Sequence, residues 1–163
     1  MTKIKKILFL LLITLILVSC QDKNVSKDNN STDALDQLDK YENMKITQGS
    51  KYAHEKTILR DLIITFSRLN NAVEKAQSAE DVTSALKSLY DSLQKLNPAI
   101  AQITQSNPDW GTSPPRELKD IINDYLTANQ NFTEHTMNRV GQYLVDNPDN
   151  KELHQIYNKL KEL

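Results

Sequence analysis

The spacing of apolar side chains after residue 50 constrains this chain more than any other feature, because they return every three or four residues in four successive stretches. Tyr52, Leu59, Leu62, Ile63, Phe66, Leu69 and Val73 form the first stripe, and Val82, Ala85, Leu86, Leu89, Leu93, Leu96, Ile100 and Ile103 the second. Leu118, Ile121, Ile122, Tyr125, Phe132, Val140, Tyr143 and Leu144 make the third, and Leu153, Ile156, Tyr157, Leu160 and Leu163 a short fourth. This period is helical, and a helix with one apolar side can bury it only against another element. Glycine stands only at positions 49, 111 and 141, and alternating β-branched runs are absent, so the turn chemistry of an all-β domain is missing. The expectation is an all-α fold: an antiparallel three- to four-helix bundle over residues 50–163, following a flexible N-terminal tether.

Local signals set the boundaries. The first helix is expected over residues 51–76. Ser78 followed by Asp81 has the spacing of a capping box and opens the second. Pro98 lies inside the seam of that second helix, where it removes a backbone hydrogen bond and crowds the carbonyl of Gln94, so a kink or a break after Asn97 is expected. Residues 107–115, NPDWGTSPP, read as a loop, with Thr112 or Ser113 capping the third helix and Pro114 and Pro115 in its first turn. That helix should run to about Val145, end at Asn147 and Pro148, and be followed by a fourth over 149–163.

The beginning of the chain is of a different kind. Lys3, Lys5 and Lys6 precede a nearly unbroken run of Leu, Ile, Phe and Val over residues 7–18, and polar sequence begins at Gln21. A charged segment, then an apolar core too short to read first as a spanning helix, then a small residue at Ser19 is the pattern of a secretory signal. Cys20 is the only cysteine, so it has no disulfide partner in the chain and a cysteine metal cluster is excluded. Residues 21–33, QDKNVSKDNNSTD, hold too little apolar surface to offset their ordering entropy and read as an unstructured tether. Within residues 20–49 a short helix through Leu35, Leu38 and Tyr41 is expected, interrupted by Gly49.

The residues Leu17, Val18, Ser19 and Cys20 resemble the lipobox of bacterial lipoproteins. That resemblance implies cleavage between Ser19 and Cys20, with residues 1–19 removed, and a diacylglycerol on the Cys20 sulfur. Two or three acyl chains, at about 0.8 kcal/mol per buried methylene, anchor a domain stably where one would not. In a cell with two membranes, Gln21 rather than aspartate after the cysteine implies sorting to the outer membrane. Removing three lysines takes the formal net charge from −1 to −4. A mildly acidic domain lacks the basic surface that nucleic acid requires, so no nucleic-acid partner is expected.

Catalytic and metal chemistry finds little to work with. His54, His135 and His154 have no second histidine three or four residues away, so no helical metal pair forms, and each reads as a surface or boundary residue. Phosphate-binding and nucleophile-elbow patterns need glycines that the chain does not have. No catalytic residue, metal or cofactor is assigned, and a non-enzymatic binding or structural module is expected. Trp110, the only tryptophan, lies in the long loop, where it either packs over the end of the bundle or anchors an envelope protein partner.

Two further resemblances bear on function. Residues 74–76 with Ser78, Ala79, Val82, Ala85 and Leu86, and His154 with Gln155 and Tyr157, are similar to stretches of the soluble periplasmic four-helix cytochrome b. That family implies a haem, or more broadly a small-ligand carrier, with His154 as a ligand opposite a methionine on the first helix; the register puts Ile63 at the methionine's place. The proline-bearing second helix and the loop from Asn107 to Pro115 also resemble small bacterial envelope proteins, which implies a fold and a compartment and no activity.

Overall fold

The computed structural model describes residues 38–111 and 113–163. The apolar leader, Ser19, Cys20 and the polar stretch through residue 37 lie outside them, as does Thr112. Among the described residues the fold is entirely helical, with five α-helices packed together: α1 (Ala53–Lys75), α2 (Ala79–Ser106), α3 (Lys119–Asn131), α4 (Met137–Asp146) and α5 (Lys151–Lys161). A π-helical segment, Phe132–Thr136, joins α3 to α4, and 3-10 turns occupy Pro108–Gly111 and Arg116–Leu118.

The turn before α2 forms for the reason the sequence gives. Ser78 Oγ accepts from the Asp81 amide at 3.1 Å while the Asp81 carboxylate accepts from the Ser78 and Gln77 amides, so α2 opens on a complete capping box. At α5 the cap is Asn150, whose Oδ1 accepts from the Leu153 amide. The loop after α2 differs from expectation. Pro114 and Pro115 stand ahead of the helical residues, Pro115 precedes Arg116 with no side-chain cap, and the Ser113 amide donates to the Asp109 carbonyl.

Pro98 does not break α2, which continues to Ser106. Both Pro98 and Gln94 are exposed, so the carbonyl that Pro98 deprives of a donor faces water, the side on which the loss costs least. The third stripe is also less regular than its spacing implied. Its rod changes to π-helix at Phe132, where the Thr133 hydroxyl donates to the carbonyls of Asn129 and Gln130 and holds the widened turn.

The helices gather on α1, which packs against α2, α3, the π segment and α4, while α5 packs on α2. Phe66, Ile63, Leu86, Val82, Val73, Leu118, Val140 and Leu153 form the centre of the core, each essentially inaccessible to water. Contacts between α1 and the third rod advance in step along both. Lys51 meets Glu117, Phe66 stacks on Phe132 with ring centroids 5.1 Å apart, Thr136 donates to Asn70 at 2.6 Å, and the Tyr143 hydroxyl donates to the Ala76 carbonyl at 2.8 Å.

Packed structure begins ahead of residue 50. Residues 38–42 form a helical turn, and Tyr41, 2% exposed, is part of the core. Within the segment that the sequence assigns to the tether and its short helix, these residues form a strap packed against α1 and α3.

Candidate functional site

The described residue with the strongest sequence claim to a contact is Trp110. It sits in the 3-10 turn after α2, partly buried, with its ring edge-on to Tyr52 at a centroid distance of 5.6 Å and 83° between planes. Tyr52 is the residue before α1 and the only non-glycine described with positive φ, at 61°. A bulky residue in the left-handed region costs on the order of 1 to 3 kcal/mol, which the surrounding packing must supply. The Lys51 ammonium lies 4.8 Å from the Tyr52 ring centre and 3.2 Å from Glu117 Oε1. The Glu117 carboxyl is held below the ordinary range by its own backbone amide first and then by Lys51. Trp110 closes this end of the helices.

The three histidines do not converge. His54 and His135 are exposed on α1 and the π segment. His154 is partly buried on α5, with Nε2 3.3 Å from the Asn147 carbonyl of the preceding turn. Ile63 is wholly enclosed in the core by its apolar neighbours. The residues present do not fit a haem held as the four-helix cytochrome holds one: the position opposite His154 in that scheme is a packed isoleucine that cannot ligate iron. Among the described residues no group of three or more histidine, cysteine or carboxylate side chains is placed to hold a metal. An open groove by the α4–α5 turn collects Glu80, Asp146, Asp149 and Glu152, but Glu152 is paired with Lys87 at 2.6 Å and Asp146 accepts from Gln142.

The most developed polar arrangement is one that helix-spacing rules do not find. Tyr41 donates from its hydroxyl to Asp124 Oδ2 on α3, and Lys40 Nζ donates to the same oxygen at 2.6 Å. One residue on, Arg68 of α1 donates from Nε and Nη2 to Glu42 Oε1, at 3.0 and 2.7 Å. Burial, the hydrogen bond to Asp124, and the negative charges of Asp124 and Asp120 all push the Tyr41 hydroxyl pKa up. Burial also works to raise the pKa of Asp124, but the bonds from Lys40 and Tyr41 and the Lys40 charge outweigh it, leaving it below the ordinary carboxylate value. Tyr125, packed against Phe66, is pushed up to about 12 by desolvation alone. The only sequence signal for Tyr41 was its place in a short apolar pattern; nothing near it named its partner.

Cys20 and Ser19, on which the lipidation expectation rests, lie outside the described residues. No helix among the described residues is long and apolar enough to cross a membrane. Compared with protein-family models, curated proteins and solved structures, the chain matches none.

Proposed function

We propose that this chain is a lipid-anchored envelope module without catalytic activity, held to the membrane through Cys20 and presenting its helices to another envelope protein. The observation that carries the reading is the lysine-flanked apolar run ending in Leu17-Val18-Ser19-Cys20, with polar sequence directly after it. Lipid on Cys20 confines the module to the cell envelope, and Gln21 favours the outer membrane where there are two. The acidic mature chain makes a membrane surface or nucleic acid a poor electrostatic match for the helices themselves, which favours a protein partner. Among the described residues, ion pairs join different elements at Lys40 with Asp124, Lys51 with Glu117, Arg68 with Glu42 and Lys87 with Glu152. That supports a structural role for them over a catalytic one.

For the architecture we propose successive reversals of the chain at residues 76–78, 107–118 and 147–150. This places α1 beside the third rod as like-directed helices, and α2 beside α5. Brevity of the first and last connections supports it, as does the stepwise advance of contacts from Lys51 to Ala76.

The test is mass spectrometry of the protein isolated from cells that make it. An acylated mature chain beginning at Cys20 supports the reading, and an unmodified or uncleaved N-terminus overturns it. Crosslinking in intact cells then identifies the partner, and Trp110→Ala decides whether the loop after α2 contacts it. Unchanged recovery with a folded variant removes Trp110 from the interface.

A further inference from the structure

The segment ahead of α1 is attached to the bundle at few points. From residue 38 to residue 51 only Tyr41 is buried, with Met44 packed against the core beside it; most of residues 45–51 are exposed. The strap leaves α1 through a turn in which the Ser50 amide donates to the Thr47 carbonyl and Gly49 adopts φ 79°. The charged groups that act on Tyr41 are Lys40, over its ring, and Asp124 and Asp120, with the Arg68 and Glu42 pair next along the strap. The cap of α2 and the start of α1 do not involve residues 38–44: α2 opens on Ser78 and Asp81, and Tyr52 ahead of α1 packs against Trp110. A segment held by one buried side chain and exposed ion pairs opens at lower free energy than the core it rests on.

We propose that residues 38–44 are a detachable latch, seated through Tyr41 on Asp124, that sets how far the bundle can stand from its membrane anchor. The reach half of this inference rests on the lipid anchor at Cys20 proposed above; the latch itself does not. With the strap seated, the chain from Cys20 to Leu38, where the helical turn begins, spans 18 residues, a length that cannot exceed about 65 Å. With the strap released, the first fixed residue is Tyr52, and the same limit rises to about 115 Å. Seating Tyr41 therefore lowers the limit on the module's reach by about two-fifths without disturbing its partner-facing helices. A partner or a pull on the anchor that frees Tyr41 lengthens it.

Amide hydrogen exchange on the full mature chain, residues 20–163, tests the latch. Tyr41→Phe, which removes only the bond to Asp124, is expected to speed exchange at Asn43 and Met44 about tenfold, and Tyr41→Ala more than a hundredfold. Amides of Leu69 and Leu86 should change less than threefold. Unchanged strap exchange in both variants overturns the proposal, as does equal acceleration in α1 and α2, which would make the strap part of the cooperative core. If Tyr41→Ala fails to fold, it too overturns the latch, and Tyr41→Phe confirms the reason by loosening core and strap together.

Reach is read on vesicles of neutral phosphatidylcholine carrying a dansyl lipid, with Cys20 coupled to a maleimide lipid and Trp110 as the sole tryptophan donor. Energy transfer should fall in Tyr41→Ala relative to the parent chain. Equal transfer overturns the reach consequence. Native protein lacking acyl groups on Cys20 overturns the anchor, and leaves the exchange result to judge the latch.

Discussion

Tyr41 and Asp124 make a contact whose strength follows pH in a direction fixed by their two shifts. The Asp124 carboxyl has a folded pKa below its unfolded value, so its contribution is complete above about pH 4 and is lost as pH falls through the folded value. The Tyr41 hydroxyl is raised, so its contribution is complete below about pH 10 and is lost as pH climbs through its folded value. The strap should be tightest between these limits. Limited proteolysis of residues 45–51 across pH measures this, and Asp124→Asn should flatten the acid side of the profile. A second residue behaves oppositely to its burial. Ser67 is 2% exposed with an Oγ that finds no hydrogen-bond partner among the described residues. A buried hydroxyl without a partner costs free energy that a methyl does not, so Ser67→Ala should raise stability by up to about 1 kcal/mol in urea unfolding.

Helices in this chain depend on local chemistry to different degrees, and two substitutions of opposite sign measure it. Ser78→Ala removes one half of the capping box at α2 and should cost about 1 kcal/mol. Gly141 lies within α4, with open space where a Cβ would stand, so Gly141→Ala should stabilise by about 0.5 to 1 kcal/mol. Thermal melts of the pair should shift in opposite directions. The same contrast explains what the sequence could announce. Ser78 and Asp81 are three residues apart, and a capping box is written entirely within that span. The four apolar stripes were likewise sufficient to place the helices to within a few residues. The π segment was not legible, because the reason to widen the turn at Phe132 lies on α1, where Phe66 and Asn70 await Phe132 and Thr136. That α2 would continue past Pro98 without a break was not legible, because the sequence could not say that Pro98 and Gln94 would be exposed. The Tyr41 contact joins residues 83 apart, beyond any rule of helix spacing.

At the scale of the molecule, α1 carries the fold and α5 is an attachment to it. Phe66 is nearly inaccessible and lies between Tyr125 and Phe132, so it couples α1 to the third rod on both sides of the change to π-helix. The helix α5 has 11 residues, three of them buried, and packs mainly on α2, with the exposed Lys87 and Glu152 pair beside it. An exposed pair of this kind contributes less than about 1 kcal/mol, and a helix of this length does not hold its shape alone in water. Removing apolar volume should therefore have different consequences at the two places. Phe66→Ala should cost about 3 to 5 kcal/mol, and every helix should lose protection together, since the contact it deletes joins α1 to the third rod at the centre of the core. Leu153→Ala, at a fully buried position of α5, should cost about 2 to 5 kcal/mol at that helix and release it before the rest unfolds. Helical circular dichroism would then fall ahead of Trp110 fluorescence during urea unfolding, because Trp110 reports on Tyr52 at the start of α1. In the parent chain and in Phe66→Ala the two signals should coincide. Coincident signals in Leu153→Ala would instead make α5 a full member of the cooperative core.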